Sequence, residues 1–334
     1  MVKIFRKLAV LAILGLLAVA GYGAWYAMTP VKAAALPVEF EIPAGIGLRG
    51  AARRLEQAGI EVRRVPFELL ARLLGTTQDI KAGYYRISAP MTPREILQKL
   101  ERGDVVQSEV LLVEGWTFAQ LRAALGASDA LRHDSSGLSD AEILASIGAT
   151  ERHPEGLFFP DTYLFARGSS DLAVLRRAYR VMQEHLEREW ARRAPDAPYK
   201  TPYEALIMAS IVEKETGREA EREQIAGVLV NRLRMRMALQ VDPTVIYGLG
   251  ESFDGNLKKL HLKTDGPYNT YTRAGLPPTP IAMPGLASLR ATLQPAKVDA
   301  LYYVSRGDGT SEFSRTLQEH NRAVAKYQLK PMRK

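Results

Sequence analysis

Residues Leu8 to Met28 form a run of 21 residues without a charge, and no other feature of the 334-residue chain constrains its folding as strongly. About 20 apolar residues in a helix span the hydrocarbon core of a bilayer. Three cations, Lys3, Arg6 and Lys7, precede the run; only Lys32 follows closely, and no acid occurs before Glu39. That asymmetry predicts an N-terminus held in the cytoplasm and a chain that is outside from Thr29 onward. Trp25 and Tyr26 fall where interfacial aromatics belong. A cleaved signal peptide is the rival, since Ala33-Ala34-Ala35 could serve a peptidase. The apolar core of a signal is usually about 7–15 residues, shorter than this run. The expectation is therefore a cytoplasmic segment 1–7, a transmembrane helix 8–28 and a linker 29–37.

Composition excludes several function classes. At 46 % hydrophobic and 25 % charged residues the chain is ordinary for a globular protein. The net charge is +8, part of which is the basic leader. The other cations sit mostly beside acids on helix-like segments, as in Glu187-Arg188-Glu189, rather than in a stripe with aromatics between them. No nucleic-acid partner is expected. The absence of cysteine excludes disulfides, a thiol nucleophile and thiolate metal sites. His133, His153, His185, His261 and His320 are scattered without ligand spacing, so no metal is expected. There is no GxSxG elbow and no phosphate-binding GxxxxGK[ST] loop. No organic cofactor is implied.

After the anchor, three stretches repeat a short strand, a turn and an amphipathic helix. They are a strand at Val38–Ile42 with a helix from Leu48 to Ala58, a strand at Gly83–Ile87 with a helix to Leu100, and a strand at Val110–Val113 with a helix from Phe118 to Leu125. Thr92-Pro93-Arg94-Glu95 reads as a capping box with Pro at the first helical position. Alternating short strands and helices predict an α+β fold. This part resembles a LysM-like module, used to hold N-acetylglucosamine polymers; the alternative is a plain spacer. Residues 128–148 read as a loop with one short helix, 154–163 as a structured non-helical segment, and 171–193 as an amphipathic helix.

The chemistry concentrates in the helix opened by Thr201-Pro202-Tyr203-Glu204, a second expected capping box, and stopped at Gly217. From Ala205 to Val212 it is apolar nearly all round, which predicts burial. Charges appear only at its end. At about 100° per residue Glu213 and Glu215 point to opposite faces. Glu215 continues the stripe of Met208, Ile211 and Val212, while Glu213 follows Leu206, Ala209 and Ser210. Partial desolvation would raise the pKa of Glu215, which suits a general acid. A helix from Glu219 to about Met237 follows. Beyond it, residues 239–248, 267–271 and 275–285 are rich in Tyr, Asn, Gln, Thr, Pro and Gly, and read as rigid loops suited to sugars.

Residues 38–330 resemble the YceG-like endolytic murein transglycosylases. The resemblance rests on Val113-Glu114-Gly115, Phe159-Pro160-Asp161-Thr162-Tyr163, Ala209 through Thr216, Asn231-Arg232-Leu233, Leu239 through Val245, Tyr268-Asn269-Thr270-Tyr271 and Gly275-Leu276-Pro277-Pro278. It implies a LysM-like α/β subdomain (38–126) and an α-rich catalytic domain of lysozyme-like character (127–330). It also implies that Glu215, the second Glu of Glu-Lys-Glu-Thr, is catalytic. The expected activity is cleavage of the bond between N-acetylmuramic acid and N-acetylglucosamine to leave 1,6-anhydro ends. Gln240, Asp242, Thr244, Tyr247, Asn269 and Tyr271 are candidate substrate contacts. The expected partners are peptidoglycan strands, the inner membrane and peptidoglycan synthases. Two alternatives stay open: a muramidase-type hydrolase with Asp242 as second carboxylate, and a non-catalytic wall-binding scaffold.

Overall fold

The structure is a computed structural model and describes residues 2–76 and 80–329; residue 330, the expected end of the catalytic domain, lies outside them. The fold is α+β. The chain divides into two compact units, residues 1–108 with 164–169 and residues 109–163 with 170–334. The third strand–helix stretch thus belongs mostly to the second unit.

The first unit begins with α1 (Val2–Met28), continues through β1 (Val38–Ile42), α2 (Leu48–Gln57), α3 (Arg64–Leu74) and β2 (Gly83–Ile87), and reaches α4 (Pro93–Arg102). Residues Ile4–Met28 of α1 are long and apolar enough to cross a membrane, with a mean hydropathy of 2.1. β1 and β2 pair antiparallel with Phe40 opposite Tyr85. Alternation puts Phe40, Ile42, Tyr85 and Ile87 on one buried face. Leu55 of α2, Phe67 of α3 and Leu97 of α4 cover that face, and Tyr26 from the end of α1 joins the same core. The segment after α1 is tied down, not slack. Ala34 N donates to Gly59 O, and Glu61 N donates to Lys32 O.

The chain then forms β3 (Gln107–Leu111), α5 (Phe118–Gly126), β4 (Leu131–Arg132), α6 (Asp140–Ile147), β5 (Thr162–Ala166), β6 (Ser169–Ser170) and α7 (Asp171–Ala191). It continues through α8 (Pro202–Glu215), α9 (Glu219–Arg234), α10 (Asp242–Leu249), α11 (Lys259–Lys263), α12 (Leu286–Leu293), the hairpin β7 (Tyr302–Ser305) and β8 (Ser311–Ser314), and α13 (Leu317–Tyr327). α8 is the axis of the second unit. Every residue from Ala205 to Val212 is buried, as an all-round apolar helix must be. α7, α9, α10 and α12 pack around it.

Several expectations are corrected. Residues 59–82 received no assignment from the sequence, yet they hold α3. Its apolar residues occupy both faces, with Phe67 and Ala71 inside and Val65, Leu69 and Leu73 outside, which hides the helical period. β3 starts at Gln107 and ends at Leu111, earlier than the expected 110–113. The box at Thr92 forms in full, but the one at Thr201 is half a box. Thr201 accepts from Glu204 N, while the Glu204 carboxylate accepts from Lys200 N instead. α8 ends at Glu215 without using Gly217, because Thr216 already turns into extended backbone. α9 stops at Arg234, short of Met237. Part of the expected loop 239–248 is α10, with Asp242 and Pro243 in its first turn.

A close approach of backbone to helix positions β7 in the second unit. A Cβ on Gly227 of α9 would lie 2.5 Å from Ala296 O, so the glycine lets the segment before β7 lie directly on α9. Replacing Gly227 with Ala should cost roughly 1–3 kcal/mol through overpacking against backbone, read as a lowered thermal midpoint; an unchanged midpoint would contradict the tight fit.

Candidate active site

Glu215 is the last residue of α8, where that buried helix emerges into an open cleft of about 950 Å³. The cleft is lined by the ends of α8 and α9, by Gln240, Asp242 and Tyr271, by the β7–β8 hairpin and by α13. The Tyr303 hydroxyl of β7 donates to Glu215 Oε2 at 2.6 Å. Burial pushes the Glu215 carboxyl up to about 7. The Asp242 charge adds to the rise, while the Tyr303 hydrogen bond and the Arg232 cation oppose it. A carboxyl near 7 is present in both forms at neutral pH, about half of it protonated, and can give up a proton and take it back.

Arg232 of α9 is the buried bolt beneath the cleft. Its Nε donates to Leu301 O at 2.6 Å and its Nη1 to Leu239 O at 2.8 Å, and Nη1 also reaches Gln240 Oε1 at 3.3 Å. Its guanidinium lies 5.0 Å from the centre of the Tyr302 ring. The neighbouring Asn231 Nδ2 donates to Val298 O at 2.7 Å. Together the two residues hold the strand that delivers Tyr303 and the turn that delivers Asp242. Gln240 takes a left-handed backbone (φ 54°), rare for a side-chain-bearing residue, and its N–H donates to Thr270 O.

The structure brings together Glu215, Gln240, Asp242 and Tyr271 of the residues expected from the sequence. Asp242 is exposed on the cleft wall, and its Oδ1 accepts from the Tyr271 hydroxyl at 2.5 Å. The other three do not line the cleft. Thr244 is buried, bonded to Val241 O and to the Thr270 hydroxyl. Asn269 is buried and donates to the carbonyls of His261, Leu262 and Thr264, fixing a turn. The Tyr247 hydroxyl donates to Glu155 Oε2 at 3.0 Å. Glu155 is buried and its carboxyl is raised to about 7 by burial, even though Phe118 N and Tyr247 donate to it. Glu213 faces away from Glu215: its Oε2 accepts from Gly285 N at 3.0 Å and Ser288 Oγ at 2.7 Å, at the start of α12.

Tyr303 and Arg232 escaped the sequence reading as site residues, and Glu155 escaped it as the buried partner of Tyr247. A polar Asn-Arg pair on a helix otherwise buried around Ile225, Val228 and Leu229 was the available signal for Arg232. Tyr303, far along the chain in a four-residue strand, carried none.

Two substitutions should move the Glu215 carboxyl in opposite directions. Tyr303→Phe removes a donor to the charged form, so its proton affinity rises, by roughly tenfold for one hydrogen bond. Asp242→Asn removes a like charge, so its proton affinity falls. Carboxyl-carbon NMR titration reads both; shifts of the same sign would contradict this electrostatic account. Stability follows from the same shift. The folded carboxyl titrates above its ordinary 4.5, so its contribution to stability is present below that value and is lost as pH rises through about 7. Glu215→Gln escapes that loss. Its thermal midpoint should therefore gain on the wild type between pH 5 and pH 8, and a gap that does not change with pH would contradict the shift.

Comparison with known proteins places these features in a family. Residues 40–326 match the YceG-like family. An endolytic murein transglycosylase of Bacillus subtilis is 31 % identical over 314 residues, which cover 87 % of this chain and 84 % of the relative. One from Streptococcus pneumoniae is 28 % identical, covering 96 % of this chain and 65 % of the relative. The crystal structure of a yceG-like protein from Listeria monocytogenes superposes with a TM-score of 0.53 at 30 % identity, covering 85 % of this chain and 98 % of that one.

Proposed function

The chain belongs to the YceG-like family and is an endolytic murein transglycosylase, a lyase of peptidoglycan, and we propose that Glu215 is the one group that moves protons in its reaction. The observation that carries this assignment is a carboxyl held near pH 7 in a 950 Å³ cleft with a tyrosine hydroxyl fixing one of its oxygens.

In this reading the neutral Glu215 carboxyl gives its proton to the oxygen that links N-acetylmuramic acid to N-acetylglucosamine. The C1–O bond breaks, the N-acetylglucosamine end leaves as an alcohol, and positive charge develops at C1 of the muramoyl ring. The Glu215 carboxylate then takes the proton of the muramoyl 6-hydroxyl as its oxygen bonds to C1. The acid is restored, a 1,6-anhydro ring closes, and no water is consumed. One carboxyl suffices because the nucleophile is part of the substrate and is already oriented. A hydrolase needs a second carboxylate as base or nucleophile. Asp242 is given a different part: with its Oδ1 held by Tyr271, it adds negative potential that keeps Glu215 protonated and favours the developing cation. Tyr303 holds the carboxyl in place. Gln240 and Tyr271 are the proposed contacts to the sugar.

We further infer the setting. The cations in the first turns of α1, ahead of its apolar run, put the N-terminus in the cytoplasm and the cleft in the periplasm, with the apolar run in the inner membrane. The β1–β2 part of the first unit is read as the LysM-like subdomain and the second unit as the catalytic one. An enzyme tethered at the membrane meets glycan strands as synthases extend them, so its cuts would end their growth.

Purified peptidoglycan treated with the protein should release anhydro-muramoyl ends by mass spectrometry, and Glu215→Gln should release none. Reducing muramoyl ends would instead assign hydrolysis with Asp242 as second carboxylate. Equal release by both proteins would sink the Glu215 assignment.

A further inference from the structure

α3 presents an apolar face that nothing among the described residues covers. Val65, Leu69 and Leu73 are 80 %, 50 % and 76 % exposed. At about 100° per residue they span a stripe roughly 80° wide, with the exposed Arg72 along one edge. Glu68, also toward that edge, is half-buried and is held by Arg49 at 3.2 Å. The opposite face, Phe67 and Ala71, is in the core. Among the described residues no other helix or strand beyond α1 exposes more than one large apolar side chain.

The neighbour of α3 says what covers this face. Arg63, the residue that caps α3, donates through Nη1 to the Tyr22 hydroxyl of α1 at 3.2 Å, and its carbonyl accepts from the Tyr26 hydroxyl at 3.2 Å. Tyr26 shares one core with Phe67 and Ala71, so the end of α1 and the inner face of α3 are packed together within the first unit. Tyr22 and Tyr26 precede the end of α1 at Met28 by six and two residues. The N-terminal end of α3 therefore sits about 3–9 Å short of the outer end of the apolar helix. Interfacial helices bury their apolar faces about 5–10 Å into the boundary of headgroups and acyl chains.

We propose that the Val65–Leu69–Leu73 face of α3 lies in the outer headgroup–acyl boundary of the membrane that α1 crosses, making α3 an interfacial helix that fixes the first unit to the lipid surface. This rests on the membrane-anchor reading of α1. Arg72 at the edge of the stripe suits anionic headgroups. Two attachments at one core, one spanning and one lying flat, remove the freedom to swing that a single tether would leave.

The native chain has no cysteine, so single labels report cleanly. Full-length Leu69→Cys, Leu73→Cys and, within α1, Leu16→Cys proteins are labelled with an environment-sensitive fluorophore. Each is placed at one copy per nanodisc of phosphatidylethanolamine and phosphatidylglycerol. Retained release of anhydro-muramoyl ends verifies folding, since both α3 positions are exposed. The expected result is blue-shifted emission at Leu69 and Leu73, quenched several-fold more by lipid-borne nitroxide than by iodide in the buffer, as at Leu16. Lipid quenching at Leu16 with iodide quenching at Leu69 and Leu73 would overturn the proposal, keep the anchor, and leave the face to a protein partner. Iodide quenching at Leu16 as well would overturn the anchor reading and this proposal with it.

Discussion

Burial of α8 on every side is the constraint from which the second unit is built. A helix with no solvent face has to be enclosed by other elements, and α7, α9, α10 and α12 enclose it. The enclosure holds as far as Val212; past that residue the helix carries Glu213, Lys214 and Glu215. Those charges must reach water or find partners, so the end of α8 is where an opening has to exist. The cleft lies at that end because the apolar run stops there. The same packing fixes where Glu215 lies, since it follows the buried Val212 by three residues, less than one helical turn.

Helical geometry then separates two carboxylates only two residues apart. Glu213 turns toward Gly285 and Ser288 and serves as an anchor for the start of α12. Glu215 turns toward Tyr303 and the cleft. Glu213 spends its carboxylate on two donors that fix a neighbouring helix, whereas the Glu215 carboxyl is desolvated against one hydroxyl with a negative charge nearby, which favours its protonated form. Identical side chains on one helix thus acquire different chemistry from their surroundings alone. Buried polar groups elsewhere keep the cleft in shape. Asn231 and Arg232 hold the segment ahead of β7 through its carbonyls, and Glu155 holds α10 through the Tyr247 hydroxyl. Each of these groups is costly to bury without partners, which ties the position of the cleft walls to the integrity of the core.

The first unit applies the same logic to its apolar helix. The last turns of α1 are not a loose tether, because Tyr26 is a core residue and Arg63 bonds to the hydroxyls of both Tyr22 and Tyr26. An apolar helix long enough to cross a membrane is thus continued directly into a folded core.

What the sequence determined by itself were features of short range and of strong pattern. The apolar run of α1, the alternating strands β1 and β2, the box at Thr92 and the burial of α8 all follow from residue order, because their periods survive any tertiary arrangement. The opposed directions of Glu213 and Glu215 follow from helix geometry in the same way. α3 was invisible because it is apolar on two faces, one turned to the core and one outward, and no period remains to be read. α10 was hidden behind Pro243, which opens a helix as readily as it ends one. Only the tertiary structure decided which polar residues meet Glu215. Tyr303 is 88 positions away along the chain and arrives through carbonyls held by Asn231 and Arg232. Thr244, Tyr247 and Asn269 have the chemistry of sugar ligands but direct it to their own backbone and to Glu155. A hydroxyl or an amide looks the same in a cleft and in a core until the structure shows which partners surround it.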